Sequence, residues 1–118
     1  MARKKKLTIA RCTPEECQDI ARAASSARPI LADDGQLAAR ARLFKALGNE
    51  TRLKILGLLM VQEMCICDLV LALDGAASTI IHHLHMLEEA GLITSRREGK
   101  FSLYRLNEEP LVEHRVFQ

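Results

Sequence analysis

Aromatic residues are nearly missing from this chain: no Trp, one Tyr and three Phe among 118 positions, or 3% of a sequence that is 48% hydrophobic. Any core must therefore be aliphatic, which suits packed helices better than a sandwich of aromatic-rich strands. Long apolar runs are lacking too. The longest, Ile55 to Val61, is far too short to cross a bilayer. Met1–Lys6 is basic, but only Leu7–Ala10 follows before Arg11, which leaves no signal-peptide core. A cytoplasmic chain with no membrane partner is the expectation, and there four cysteines serve more readily as metal ligands or redox groups than as structural disulfides. Bulk charge is small as well. The net charge is +2, and since Arg3, Lys4, Lys5, Lys6 and Arg11 meet no acid, the remainder of the chain is net negative. A protein gripping nucleic acid by overall charge would look different, so any such contact has to come from local patches.

What is present is organised around Glu63-Met64-Cys65-Ile66-Cys67-Asp68-Leu69. Ile66, Leu69, Val70 and Leu73 fall at i, i+3, i+4 and i+7, the buried stripe of a short helix. A helix starting at Ile66 has Cys65 at its N-cap and Asp68 at N3, the geometry of a capping box. The N-cap residue lies outside the helical backbone, so Cys65 can turn back toward Cys67. Both sulfurs then lie at the positive end of the helix dipole, which favours thiolate, the form that binds a soft metal or attacks an electrophile.

A second thiol pair lies in Cys12-Thr13-Pro14-Glu15-Glu16-Cys17. Thr13 with Glu16 is a capping box and Pro14 takes the first helical position. Cys12 and Cys17 thereby occupy N′ and N4, the positions that touch in a hydrophobic staple. Residues 1–12 read as a flexible basic arm and 13–118 as the folded domain.

The helix from Pro14 is predicted to run to about Ala27, before Pro29. Leu37, Ala41, Phe44 and Leu47 give the next apolar stripe, closed by Gly48. Asn49 caps a helix with Leu53, Leu56 and Met60 at its core, flanked by Ile55 and Leu59. The cysteine helix ends at Asp74-Gly75, and Ala77 to Ala90 forms another with Ala77, Ile80, Ile81, Leu84 and Leu87 inward. Its opposite face carries Thr79, His82 and Met86, flanked by Ser78, His83 and His85. Residues 92–97 and 100–105 make a hairpin around Glu98-Gly99, and a short helix follows from Asn107.

Three consecutive short helices and a basic hairpin make the fold mainly α with a small β-hairpin, a winged helix-turn-helix. In that arrangement the helix after Asp74-Gly75 enters the major groove of DNA and the hairpin reaches the flanking backbone. Candidate DNA contacts are Ser78, Thr79, His82 and His83 on the helix and Arg96, Arg97 and Lys100 in the wing. The reading helix holds no Lys or Arg. Affinity must lean on the wing, the basic arm and doubling in a homodimer.

Asn49-Glu50-Thr51-Arg52-Leu53-Lys54-Ile55-Leu56, the Glu63–Leu69 stretch, His82-His83-Leu84, and Gly91-Leu92-Ile93 before a Gly-turn wing resemble the ArsR/SmtB family of metal-responsive repressors. The resemblance covers roughly residues 37–106, and the N-terminal thiol pair makes it closest to cadmium- and lead-sensing members. It implies a metal site in which Cys65 and Cys67 of one chain join Cys12 and Cys17 of the other protomer of a homodimer. It also implies operator binding without metal and release on loading, with DNA roles for Ser78, Thr79, His82, Arg97 and Lys100. The effector is expected to be a soft ion, Cd(II) or Pb(II) ahead of Zn(II), As(III) or Bi(III).

Two departures stand out. Val70 occupies the place of a third cysteine in arsenic-type members. Glu108-Glu109-Pro110 replaces the Asp-x-His of the zinc site on the terminal helix, so no zinc site is expected there. Three rivals remain. One is a redox-responsive repressor with the cysteines as a thiol/disulfide switch; another is a metal-storage or carrier protein. The third, a thiol oxidoreductase, is disfavoured by Cys-x-Cys in place of Cys-x-x-Cys.

Overall fold

A computed structural model describes residues 11–114. The basic arm therefore lies outside the described residues except for Arg11 and Cys12. The chain divides between Ala38 and Ala39 into two compact units.

The first unit holds helix α1, Pro14–Ala27, a 3₁₀ turn at Pro29–Ala32, and the start of α2, Asp34–Leu47. The Thr13 hydroxyl accepts the Glu16 N–H at 3.2 Å and the Glu16 carboxylate accepts the Thr13 N–H at 3.0 Å. This is the expected capping box, and Pro14 follows the cap. Those bonds to the charged carboxylate hold Glu16 below the usual carboxylate range. Pro29 cannot continue the hydrogen-bond ladder and ends the helix. No residue of α1 is buried. The Asp33 carboxylate starts α2 by accepting the Gln36 N–H at 3.0 Å.

The second unit contains the rest of α2, then α3 (Glu50–Val61), α4 (Ile66–Leu73), α5 (Ala77–Glu89), strands β1 (Ile93–Glu98) and β2 (Phe101–Leu106), and α6 (Glu108–Glu113). Asn49 caps α3 by accepting the Arg52 N–H at 3.1 Å. The core is aliphatic, with Ile55, Leu56, Leu69, Ile80, Leu84, Leu87, Leu92 and Ile93 fully enclosed. Each such side chain contributes about 1.5–3 kcal/mol on burial.

Two expected stripes are rotated. On α3 the buried positions are Arg52, Ile55, Leu56 and Leu59, while Met60 is exposed. On α2 they are Leu43 and Ala46, while Leu37 and Phe44 face outward. Both helices are apolar on more than one side, so periodicity alone does not choose the inward face.

Helices α4 and α5 turn through 113° across Asp74-Gly75-Ala76, within the range of a helix-turn-helix. Asp74 makes that turn in the left-handed region, φ 53°, a conformation short Asp side chains tolerate. The hairpin is antiparallel, with Glu98 paired to Phe101 and Ile93 to Leu106. Its two loop residues are thus Gly99-Lys100, one position later than expected. Gly99 has φ +62° and Lys100 does not share it, the pattern of a II′ hairpin. A further antiparallel bridge joins Met64 to Tyr104. No single helix among the described residues is long and apolar enough to cross a membrane.

Candidate DNA-reading face and cysteine corner

Helix α5 begins at the turn with Ala76 as an N-cap that makes no side-chain bond. Ser78, Thr79, His82 and His85 are exposed along it, while Ile80, Leu84 and Leu87 anchor the opposite side in the core.

His83 departs from expectation. It is 8% exposed, and its Nδ1 lies 3.2 Å from Nη1 of Arg52, itself 8% exposed. Arg52 also donates to the Ala46 carbonyl at 2.7 Å, the Lys45 carbonyl at 3.2 Å and the Met86 sulfur at 3.2 Å. Burial, then the Arg52 charge, then His82 lower the His83 pKa, so the ring is neutral and Nδ1 accepts. The His83 side chain, expected at DNA, bonds internally to Arg52. The signal was there to read: Arg52 and His83 each occupy a core register of their helix, beside Ile55/Leu56 and Ile80/Leu84.

The hairpin presents two faces, because successive strand residues alternate. Ser95 and Arg97 share one, and the Ser95 hydroxyl donates to Glu88 of α5 at 3.2 Å. Arg96 and Glu98 share the other with their cross-strand partners Leu103 and Phe101. The Arg96 guanidinium bonds to Glu63 and, at 3.0 Å, to Glu98. Arg96, expected on DNA, is therefore occupied within the protein. Arg97, Lys100 and Arg105 are exposed and enter none of the ion pairs among the described residues.

Cys65 is the N-cap of α4, and the Asp68 carboxylate accepts its N–H at 3.2 Å. This is the capping box expected from sequence. Cys65 is half-buried, Cys67 is exposed, and both are free thiols. They open onto a cleft of about 440 Å³ lined by Cys65, Cys67 and Asp68 on one side and Glu98, Phe101 and Leu103 of the wing on the other. The Met64–Tyr104 bridge accounts for this placement, since antiparallel register sets Cys65 alongside Leu103.

Cys12 and Cys17, at the positions expected to touch, are joined in a disulfide with Cα atoms 6.1 Å apart. Ligation by these two sulfurs requires the reduced form. Among the described residues of one chain, no group of three or more His, Cys, Asp or Glu converges as a metal centre. Two soft, accessible sulfurs at one helix start nevertheless fit part of a thiolate site.

Residues 49–95 match the family of bacterial regulatory proteins described as the arsR family. A solved homodimeric winged helix-turn-helix DNA-binding domain from Mycobacterium bovis, a possible ArsR-family regulator, superposes with a TM-score of 0.65 at 32% identity, covering 71% of this chain and 78% of that one. The chain belongs to the ArsR family. Among curated ArsR-family relatives, the arsenical resistance operon repressor of Escherichia coli is 48% identical over 67 residues, 56% of this chain and 57% of that protein. A cadmium resistance regulatory protein, a CadC homolog of Staphylococcus aureus, is 39% identical over 70 residues, 58% of each. The chain thus spans just over half the length of these two relatives. The family match encloses α3, the cysteine corner, the turn and α5.

Proposed function

We propose that this protein is a transcriptional repressor, not an enzyme, that binds double-stranded operator DNA as a metal-free homodimer and releases it when cysteine thiolates take up a soft metal ion. The observation that carries the reading is the adjacency, in one unit, of an open polar helix face, a cationic wing and two free cysteines heading the preceding helix. In this reading α5 lies in the major groove with Ser78, Thr79 and His82 at the bases and phosphates, and Arg97 and Lys100 hold the backbone. Residues 1–12 add a basic arm, and 13–118 form the DNA-binding and dimerisation domain, acting in the cytoplasm.

The homodimer is supported by the M. bovis neighbour and by outward apolar side chains, among them Phe44 at 52% and Val112 at 72% exposure. Cys65 and Cys67 hold the metal together with the partner's Cys12 and Cys17 in reduced form. When bound, the ion supplies a cross-link between the Cys12–Cys17 segment of one protomer and the start of α4 in the other. An all-sulfur donor set suits Cd(II) or Pb(II), with Zn(II), As(III) and Bi(III) also admissible. The names of the E. coli and S. aureus relatives accord with effectors of this class. Coupling of this kind amounts to about 1–3 kcal/mol, or ~5–150-fold in operator affinity.

Operator fluorescence anisotropy during titration with cadmium, lead, arsenite and zinc tests the reading. Cadmium is expected to give a thiolate charge-transfer band and to release the DNA, with both lost in Cys65→Ser. An unchanged band in that variant sinks the proposed ligand set. The Cys12–Cys17 disulfide favours a second reading, a redox-responsive repressor. Release by peroxide but not by cadmium selects it.

A further inference from the structure

We infer that Glu63 and Arg96 couple the cysteine corner to the wing, making Arg96 a positioning residue for the DNA response rather than a phosphate contact. The inference deepens the function proposed above and rests on it for the metal arm of its test.

Three connections converge on one short stretch. The backbone of Met64 exchanges hydrogen bonds with Tyr104 of β2, at 3.2 Å from the Met64 N–H and 2.9 Å from the Tyr104 N–H. Immediately before it, Glu63 accepts from Arg96 of β1; immediately after it comes Cys65. The residues lining the cleft in front of both cysteines include Glu98, the second partner of Arg96. The Arg96 fork thus spans from the segment entering the thiol pair to the tip of the wing. Any displacement of residues 63–65 is transmitted to β2 through the backbone bridge and to β1 through the guanidinium.

Charge strengthens the assignment. Asp68 and Glu98 line the cleft with Cys65 and Cys67, Glu63 lies two residues before Cys65, and Arg96 bonds to both Glu63 and Glu98. Without it, Glu63 and Glu98 are left unneutralised on the two elements it joins. A partly exposed ion pair contributes little to global stability. Its effect here is orientation of the hairpin, so the readouts must be local.

The test uses full-length protein carrying Glu63→Gln, Arg96→Gln and the charge-swapped double variant Glu63→Arg/Arg96→Glu. Without metal, amide exchange at Arg96, Leu103 and Tyr104 is expected to accelerate at least threefold in either single variant and to return toward wild type in the swap. Unchanged exchange overturns the link. With metal, both single variants are expected to retain the thiolate band and cadmium affinity while the fold-loss of operator binding shrinks at least threefold. Equal loss in all proteins overturns it.

The salt dependence of metal-free binding separates the alternative. Arg96→Gln leaves the slope unchanged if Arg96 positions the wing, and lowers it by about one if it touches a phosphate, which also overturns the inference. Should wild-type protein ignore every metal, the functional reading fails, while the exchange arm still decides the link.

Discussion

Nη1 of Arg52 and Nδ1 of His83 meet at 3.2 Å in a place where both side chains are almost sealed from water. The contact ties α3 to α5. It also requires a neutral imidazole, since the guanidinium cannot accept.

The first prediction concerns pH. The folded-state pKa of His83 lies below its ordinary value of 6.5, chiefly through burial. The unfolded chain therefore binds this proton more readily, and stability falls as pH drops below about 6.5. Urea midpoints at pH 7.5 and pH 5 should show the loss, and His83→Gln should flatten its slope. Equal slopes in the two proteins would remove His83 from the account.

Removing the other partner should cost more. Arg52→Ala strands the Ala46 and Lys45 carbonyls and leaves His83 without its donor. A loss of about 2–4 kcal/mol is expected for a buried, charge-assisted set of bonds. Arg22→Ala breaks an exposed pair with Asp19 and should change stability by less than about 0.5 kcal/mol. Denaturant unfolding of both variants measures the contrast.

The wing tip offers a backbone test. Gly99 holds φ +62° in a two-residue loop, so Gly99→Ala is strained whatever the space around it. It should destabilise by about 1 kcal/mol or more, with Gly99→Asn milder because Asn tolerates positive φ. Thermal unfolding ranks the three proteins.

DNA contacts are read from salt. Arg97→Ala and Lys100→Ala should each weaken metal-free operator binding and reduce the salt slope by about one. Ser78→Ala should alter sequence preference more than slope. A slope untouched by both wing variants would move the DNA contact elsewhere.

Much of this was legible in the chain because caps and turns are local. Thr13 with Glu16, Asn49 ahead of α3 and Cys65 with Asp68 all act over three residues, so sequence alone places them. The hairpin turn slipped by one because a glycine serves at either loop position. The stripes on α2 and α3 rotated for a different reason: Phe44 and Met60 are as apolar as Leu43 and Leu59, and burial depends on what lies opposite. The pairing of Arg52 with His83, as distinct from the core register of each, was harder still. They are 31 residues apart, and only the crossing of two helices makes each the other's partner.

The bridge between Cys12 and Cys17 closes within the first turn of α1, a helix that buries none of its residues. Oxidation there leaves no buried side chain of α1 to disturb. If Cys12 and Cys17 supply two of four donors, their oxidation state becomes a gain control: cells under peroxide stress would need a higher cadmium dose to switch on the same gene.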